Sequence, residues 1–323
     1  MLLVYYSEGG LTSVVLPASA GKLLTSLGLP GWAGNMVVDL GGSFSPCEAN
    51  NGGFLYYVYL LMLPTFTTNA INILAGINGV ETMQAMLIAM SVALNDLLFL
   101  PIWSTRLLRL IGAGIPEEGR LLDWAAGEVV KRHLMSLYFM LPLIGVCAGF
   151  LYHNWFPARA FPGDTLCYFT GMAFSAVAMQ GHFAKTLILF FMPQIFNFVL
   201  SCPQLFRIVP CPRHRLPQYD AETGLLSPSL TVFDSPASLK TRITLQLLEL
   251  LGLTTLQRAP ADKHEVIVSA TNLTLINWVL VHFGPMREQT LCLIIGAIQL
   301  SSTALAFAIR YGLGTLVYGG DRR

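Results

Sequence analysis

The chain is 323 residues long, 54% hydrophobic and only 11% charged, with a net charge of +1. Soluble domains carry about 25% charged residues, so this composition excludes an ordinary water-soluble globule and specifies a polytopic protein in a lipid bilayer. A net charge near zero excludes bulk attraction to nucleic acid, and six cysteines without a CxxC pair, mostly in apolar runs, read as buried small hydrophobes rather than disulfides or zinc ligands.

The opening Met1-Leu-Leu-Val-Tyr-Tyr lacks a basic stretch and meets Glu8-Gly-Gly almost at once, so it reads as the end of a membrane helix and not as a signal peptide. Residues 1–18 form a weak candidate span, and 16–53 are Gly-rich and mostly uncharged. A helix crossing the hydrocarbon needs about 20 apolar residues. Runs at 54–70, 82–103, 134–151, 165–181, 187–206 and 289–309 approach that length, and 272–284 is weaker. Pro64 is expected to kink the first of these. Asp96 is the one acid inside the second; the nearby Pro101 and Arg106 favour a position close to the membrane interface over a role in the bundle interior. The connection at 104–133 is charged. The one at 207–271 is the longest polar stretch, and its alternations (Ile243-Thr-Leu-Gln-Leu) fit a strand or an amphipathic helix equally well. Lys and Arg divide evenly between the two sides, so charge fixes no orientation.

Three polar clusters fall on one side of the membrane if the helices alternate. The first is Asn69-Ala-Ile-Asn72-Ile-Leu-Ala-Gly76-Ile-Asn78-Gly79-Val-Glu81, which closes the span from 54. Its glycines permit sharp turns and close approach to a ligand, and its amides can read a base edge or complete a metal's oxygen shell. The second runs from His153 through Arg159, Phe161 and Gly163 to Asp164, just before the span at 165. Asp164 fits a helix N-cap, the simpler reading of it alone, or a metal ligand at the membrane surface. The third, Pro210-Cys-Pro-Arg213-His214-Arg215-Leu-Pro217, is a stiff cationic loop. Arginine's planar fork matches phosphate oxygens, and the bracketing prolines favour a defined phosphate site over loose contact with lipid headgroups. Together the clusters supply amides and a carboxylate for a hard cation, guanidinium groups for a diphosphate, and an aromatic ring for a base. That set points to Mg²⁺-assisted phosphoryl transfer at a membrane surface.

The segments NAINILAGINGVE, LYHNWFPARAFPGDTLCYFTGM, GHFAKTLILFFMPQIFNF and PCPRHRLP, in order between about Phe54 and Arg310, resemble the polyprenyl-phosphate N-acetylhexosamine-1-phosphate transferases, especially their eukaryotic dolichol-pathway branch. The resemblance implies an all-α transmembrane bundle of one membrane domain over 1–323, with about six or seven of the family's roughly ten helices present. Residues 207–271 would then be a cytosolic insertion that contains the Arg-His-Arg motif.

It also implies transfer of GlcNAc-1-phosphate from UDP-GlcNAc to dolichyl phosphate with release of UMP, the first step of dolichol-linked oligosaccharide assembly for protein N-glycosylation. The implied setting is an endoplasmic reticulum membrane with the site facing the cytosol, Mg²⁺ as cofactor, a homodimer, and inhibition by tunicamycin. By matching position, Asn72 and Asp164 would bind Mg²⁺ with the diphosphate and Asn78 would read uracil, on which Phe161 stacks. Arg213 and Arg215 would hold the phosphates, His214 would lie by the sugar, and Asn69 and Glu81 would line the substrate site. Asn272, in an N-x-T triplet, would be cytosolic and unglycosylated.

Members of that family carry roughly a third more chain ahead of the matching point, with three helices, an Asp-Asp motif and a catalytic lysine that nothing here matches, and a shorter connection than 104–133. The expectation is an N-terminally short sequence of an active enzyme. The alternative is a non-catalytic truncated paralogue or subunit that binds UDP-GlcNAc or pairs with a full-length copy.

Overall fold

The computed structural model describes residues 13–15, 37–39, 44–45, 54–122, 125, 127–233, 237–261 and 264–313. The weak span expected at 1–18 lies outside them except for Ser13–Val15, which is a strand, and Cys47 lies outside them too. Ten α-helices occur among the described residues: α1 (Phe54–Ile73), α2 (Val80–Phe99), α3 (Thr105–Ile111), α4 (Glu128–Asn154), α5 (Gly163–Gln180), α6 (Ala184–Phe190), α7 (Met192–Leu205), α8 (Leu239–Leu250), α9 (Leu275–Phe283) and α10 (Glu288–Phe307).

The expected all-α fold is corrected by three small antiparallel sheets. They are β1–β2–β3 (Ser13–Val15, Val37–Asp39, Phe44–Ser45), the hairpin β4–β5 (Gln218–Asp220, Leu225–Ser227), and a sheet in the order β6–β8–β7 (Leu230–Val232, His264–Thr271, Leu256–Ala261). The undecided stretch 207–271 therefore holds both structures, with Ile243–Leu247 inside helix α8. Thr231, Val232, Val266, Ile267 and Val268 are β-branched and suit a pleated surface. The β4–β5 hairpin turns where Asp220 accepts hydrogen bonds from Glu222 N and from Thr223 Oγ1 at 2.6 Å, and these hold its carboxyl below the usual range. Gly224 then takes the left-handed conformation at φ +67°.

The six stronger spans all coincide with helices, but only α2, α4, and α10 with its π-helical extension to Leu313 are long and apolar enough to cross a bilayer alone. The run at 187–206 is not continuous. α6 and α7 meet at a 71° bend and make a fourth span only if counted as one. Pro193, near the start of α7, explains the bend, because it has no N–H to donate back and its ring crowds the carbonyl four residues earlier. The weak candidate at 272–284 is the nine-residue helix α9.

Two features of the bundle hold the polar clusters in place. The first is the close crossing of α1 and α5. A Cβ placed on Gly171 would sit 2.5 Å from the Thr68 backbone. There Thr67 Oγ1 lies 2.8 Å from Gly171 O and 2.7 Å from Ser175 Oγ. The second is a chain of three buried glutamine amides. Gln84 donates to Ile71 O and Leu74 O, carbonyls left without a helical partner at the end of α1. Gln194 donates to Gln84 Oε1 and Gln299 Oε1, both at 2.9 Å. Gln299 donates to Phe190 O, at the α6–α7 bend, at 2.8 Å.

Asp96 stands three residues before the end of α2 and faces the interior of the bundle, the second of the two readings. It is fully buried and bonded to His133 at 2.6 Å, because α4 carries a histidine to meet it, and an intramembrane acid needs such a partner. Cys147, Cys167 and Cys292 are free and buried, as expected of small hydrophobes, whereas Cys211 is exposed.

Candidate active site

Asn72 lies in the last turn of α1 and Asp164 in the first turn of α5. These helices run antiparallel through the Thr68–Gly171 contact, so the residues meet one step further along, where Asn72 Nδ2 donates to Asp164 Oδ1 at 3.1 Å. The N-cap reading of Asp164 is thereby corrected. Pro162 is the N-cap, the cap makes no side-chain hydrogen bond, and the carboxylate turns to Asn72 instead. Because the bond uses the amide nitrogen, Asn72 Oδ1 and Asp164 Oδ2 remain as oxygen donors.

Beyond α1 the chain turns through Gly76 at φ +123° and Gly79 at φ +85°, a conformation that side chains other than glycine's rarely adopt. A Cβ on Gly76 would approach Leu216 Cδ2 to 2.5 Å, so the glycine lets this turn touch the arginine loop. Asn78 comes next, and its backbone N–H donates to Glu288 Oε1 at 2.6 Å. Glu81, in the first turn of α2, is buried.

The arginine loop is fixed from beneath. Asn277, fully buried in α9, donates to Arg215 O at 3.1 Å and accepts from Ser229 N at 2.9 Å. Arg215 is half-buried, and burial pushes its guanidinium below its usual pKa. Its Nη1 is buried without a hydrogen-bond partner among the described residues. Arg215 also lines the cavity described below, and a partly desolvated guanidinium is suited to pair with an anion. Phe161, by contrast, is 82% exposed, which leaves its ring open to a planar ligand.

All nine residues singled out from the sequence (Asn69, Asn72, Asn78, Glu81, Phe161, Asp164, Arg213, His214 and Arg215) line one open cavity of about 630 Å³. Asn69 is tied back to Thr65 O at 2.7 Å. Sequence reasoning missed three contributors. Glu288 lines the cavity and holds the Asn78 backbone. Asn277 holds the arginine loop. Asn154 accepts from Thr82 at 3.0 Å and donates to Ala160 O at 2.9 Å, which ties the Phe161 loop to α2. An acid in the first turn of a span on the clusters' own side was the available signal for Glu288; for the two asparagines there was none.

No cluster of three or more His, Cys, Asp or Glu side chains able to hold a metal occurs among the described residues. The oxygen pair of Asn72 and Asp164 still fits Mg²⁺, which binds through one or two carboxylates together with substrate phosphates and water. The protein would supply the smaller part of the coordination shell.

Residues 19–182 match the family described as Glycosyl transferase family 4. Among curated relatives, the UDP-N-acetylglucosamine–dolichyl-phosphate N-acetylglucosaminephosphotransferase of Schizosaccharomyces pombe is 40% identical over 99% of this chain and 63% of its own length. The protein of the same name from Saccharomyces cerevisiae is 37% identical over 99% of this chain and 62% of its own. That from Dictyostelium discoideum is 39% identical over 80% and 51%. The chain thus spans less than two thirds of the length of these relatives, and the match, which takes in Asn72, Asn78, Phe161 and Asp164, shows that it belongs to glycosyl transferase family 4.

Proposed function

We propose that the chain forms the nucleotide-sugar half of a membrane site that transfers GlcNAc-1-phosphate from UDP-GlcNAc to dolichyl phosphate. The observation that carries this reading is the shared cavity, which brings the Asn72–Asp164 pair together with Arg213 and Arg215. The names of its relatives supply the substrates.

In the proposed reaction an oxygen of dolichyl phosphate attacks the phosphorus that bears GlcNAc. A new P–O bond forms, the bond from that phosphorus to the bridging oxygen breaks, and UMP leaves with the bridging oxygen. Arg213 and Arg215 hold the diphosphate and stabilise charge as it moves to the leaving group. Phe161 stacks on uracil, Asn78 reads its edge from a backbone fixed by Glu288, and His214 lies by the sugar. Asn72 and Asp164 would hold Mg²⁺, which when bound would neutralise phosphate charge. The proposed setting is the endoplasmic reticulum membrane, with residues 207–271 on the cytosolic side of a single membrane domain and the chain acting as a homodimer.

UMP release from UDP-GlcNAc, with and without added dolichyl phosphate and Mg²⁺, tests the assignment. Release that depends on the lipid and is blocked by tunicamycin supports it. Saturable UDP-GlcNAc binding without release supports the non-catalytic alternative, and neither binding nor release refutes both.

Two further results are expected. Arg215→Lys should weaken UDP-GlcNAc binding roughly 10- to 100-fold, because an ammonium replaces one arm of the fork at a cost of about 1.5–3 kcal/mol. Titration calorimetry reads this directly, and unchanged affinity removes Arg215 from the phosphate site. Mg²⁺ alone should leave thermal stability unchanged, since the protein donates few oxygens. Mg²⁺ with UDP-GlcNAc should add about 2.7 kcal/mol when ligand exceeds Kd a hundredfold. An equal shift from Mg²⁺ alone would show a self-sufficient metal site.

A further inference from the structure

Helix α8 has two apolar sides. Its inner side buries Leu245 beside Val209, Ile267 and Ala270. On its outer side, Leu239, Ile243, Leu247, Leu250 and the following Leu251 are 73%, 57%, 54%, 83% and 62% exposed. At the α-helical repeat these five fall within an arc of about 120°. Arg242 is exposed beside that arc and Lys240 is exposed within it, in the first turn, where its long stem can carry the ammonium outward, while the helix's one acid, Glu249, is already paired with Arg258.

Both ends of the helix are fastened to membrane-bundle elements. At its start Thr241 Oγ1 donates to Ile208 O at 2.7 Å, just past the end of α7. At its finish Trp278 Nε1, from α9, donates to Gly252 O at 3.2 Å. The helix is therefore tied at its start to the segment that follows α7 and at its finish to α9. Phe206, which follows α7, and Phe283, the last residue of α9, are themselves 71% and 66% exposed. An exposed apolar stripe of this size marks an interaction surface, and its attachment at both ends to elements of a membrane bundle together with the exposed Lys240 and Arg242 selects a lipid surface as the partner.

We infer that α8 is an interfacial helix. It lies in the plane of the membrane surface, with Leu239, Ile243, Leu247, Leu250 and Leu251 in the boundary between headgroups and acyl chains and with Lys240 and Arg242 against anionic headgroups. This placement does not depend on the chemistry assigned to the cavity.

The test uses the full chain in phosphatidylcholine vesicles, with and without phosphatidylserine, carrying the photoreactive residue p-benzoylphenylalanine at Leu247 or, in a second variant, at Leu250. Leu61, exposed on α1, serves as the lipid-facing reference, and Glu222, in the β4–β5 turn, as the aqueous one. Illumination should give lipid adducts at Leu247 and Leu250 in a yield matching Leu61, and none at Glu222. Phosphatidylserine should raise the yield, and Lys240→Glu with Arg242→Glu should abolish that rise. Both positions behaving like Glu222 overturn the proposal. So does a crosslinked dimer in place of lipid adducts, which would make this face a contact between two copies. Insensitivity to phosphatidylserine overturns the headgroup assignment.

Discussion

Asp164→Asn should abolish metal-dependent transfer if this carboxylate holds the ion. The change is nearly isosteric, and the new amide carbonyl still accepts the hydrogen bond from Asn72 that now spans 3.1 Å. The fold and the α1–α5 crossing are therefore retained, and thermal stability should hold. What disappears is one negative charge beside a divalent ion and a diphosphate. Removing a single electrostatic stabiliser of that kind costs about 10²–10³-fold in rate, or about 2.7–4 kcal/mol. The measurement is UMP release with saturating UDP-GlcNAc across a Mg²⁺ titration. A rate within twofold of the parent at every Mg²⁺ concentration would remove Asp164 from the metal site. A rate restored at high Mg²⁺ would show that the carboxylate serves affinity and not the chemical step.

Gly171→Val should be the most damaging substitution outside the cavity. Even a bare Cβ here meets the backbone of Thr68 at 2.5 Å and of Thr67 at 2.7 Å, atoms that cannot swing aside as a side chain can. The helices must separate, at about 1–3 kcal/mol for the overpacking. Separation also takes the fully buried Ser175 hydroxyl from Thr67, which itself keeps Leu63 O at 3.0 Å, and an orphaned buried polar group adds about 1–3 kcal/mol. The same displacement pulls Asn72 from Asp164, so UDP-GlcNAc and Mg²⁺ should cease to stabilise the variant. Thermal unfolding in detergent, with and without both ligands, reads the two effects separately. Gly171→Ala should show a milder form of each, and an alanine variant identical to the parent would mean that the helices cross with room to spare.

How much of the fold and site was legible in the sequence depends on the range of each interaction. Asn72, Asn78, Phe161, Asp164 and the arginine pair announced themselves because each stands in a short polar run beside an apolar one, a local contrast that needs no fold to detect. That they share a cavity rests on pairings such as Gly76 with Leu216, 140 positions apart (216 − 76), which no single sequence displays. The partner of Asp96 was hidden for the same reason, since His133 lies on another helix. The break at Phe191 was locally readable from Pro193, yet the apolar run continued through it and hydropathy alone reported one span. In 207–271, alternation was ambiguous between strand and helix because α8 is apolar on two sides, so neither period dominated.

The glutamine relay has a consequence for how the polypeptide is made. Phe190 O, at the α6–α7 bend, accepts from Gln299, and more than a hundred residues separate the two (299 − 190 = 109). During synthesis that carbonyl enters the bilayer long before its donor leaves the ribosome, and hydrocarbon offers it no substitute. The nascent bundle must keep the bend hydrated or loosely packed until α10 arrives and closes it. A chain halted before Gln299 would thus present quality-control machinery with an open, wet seam at its centre.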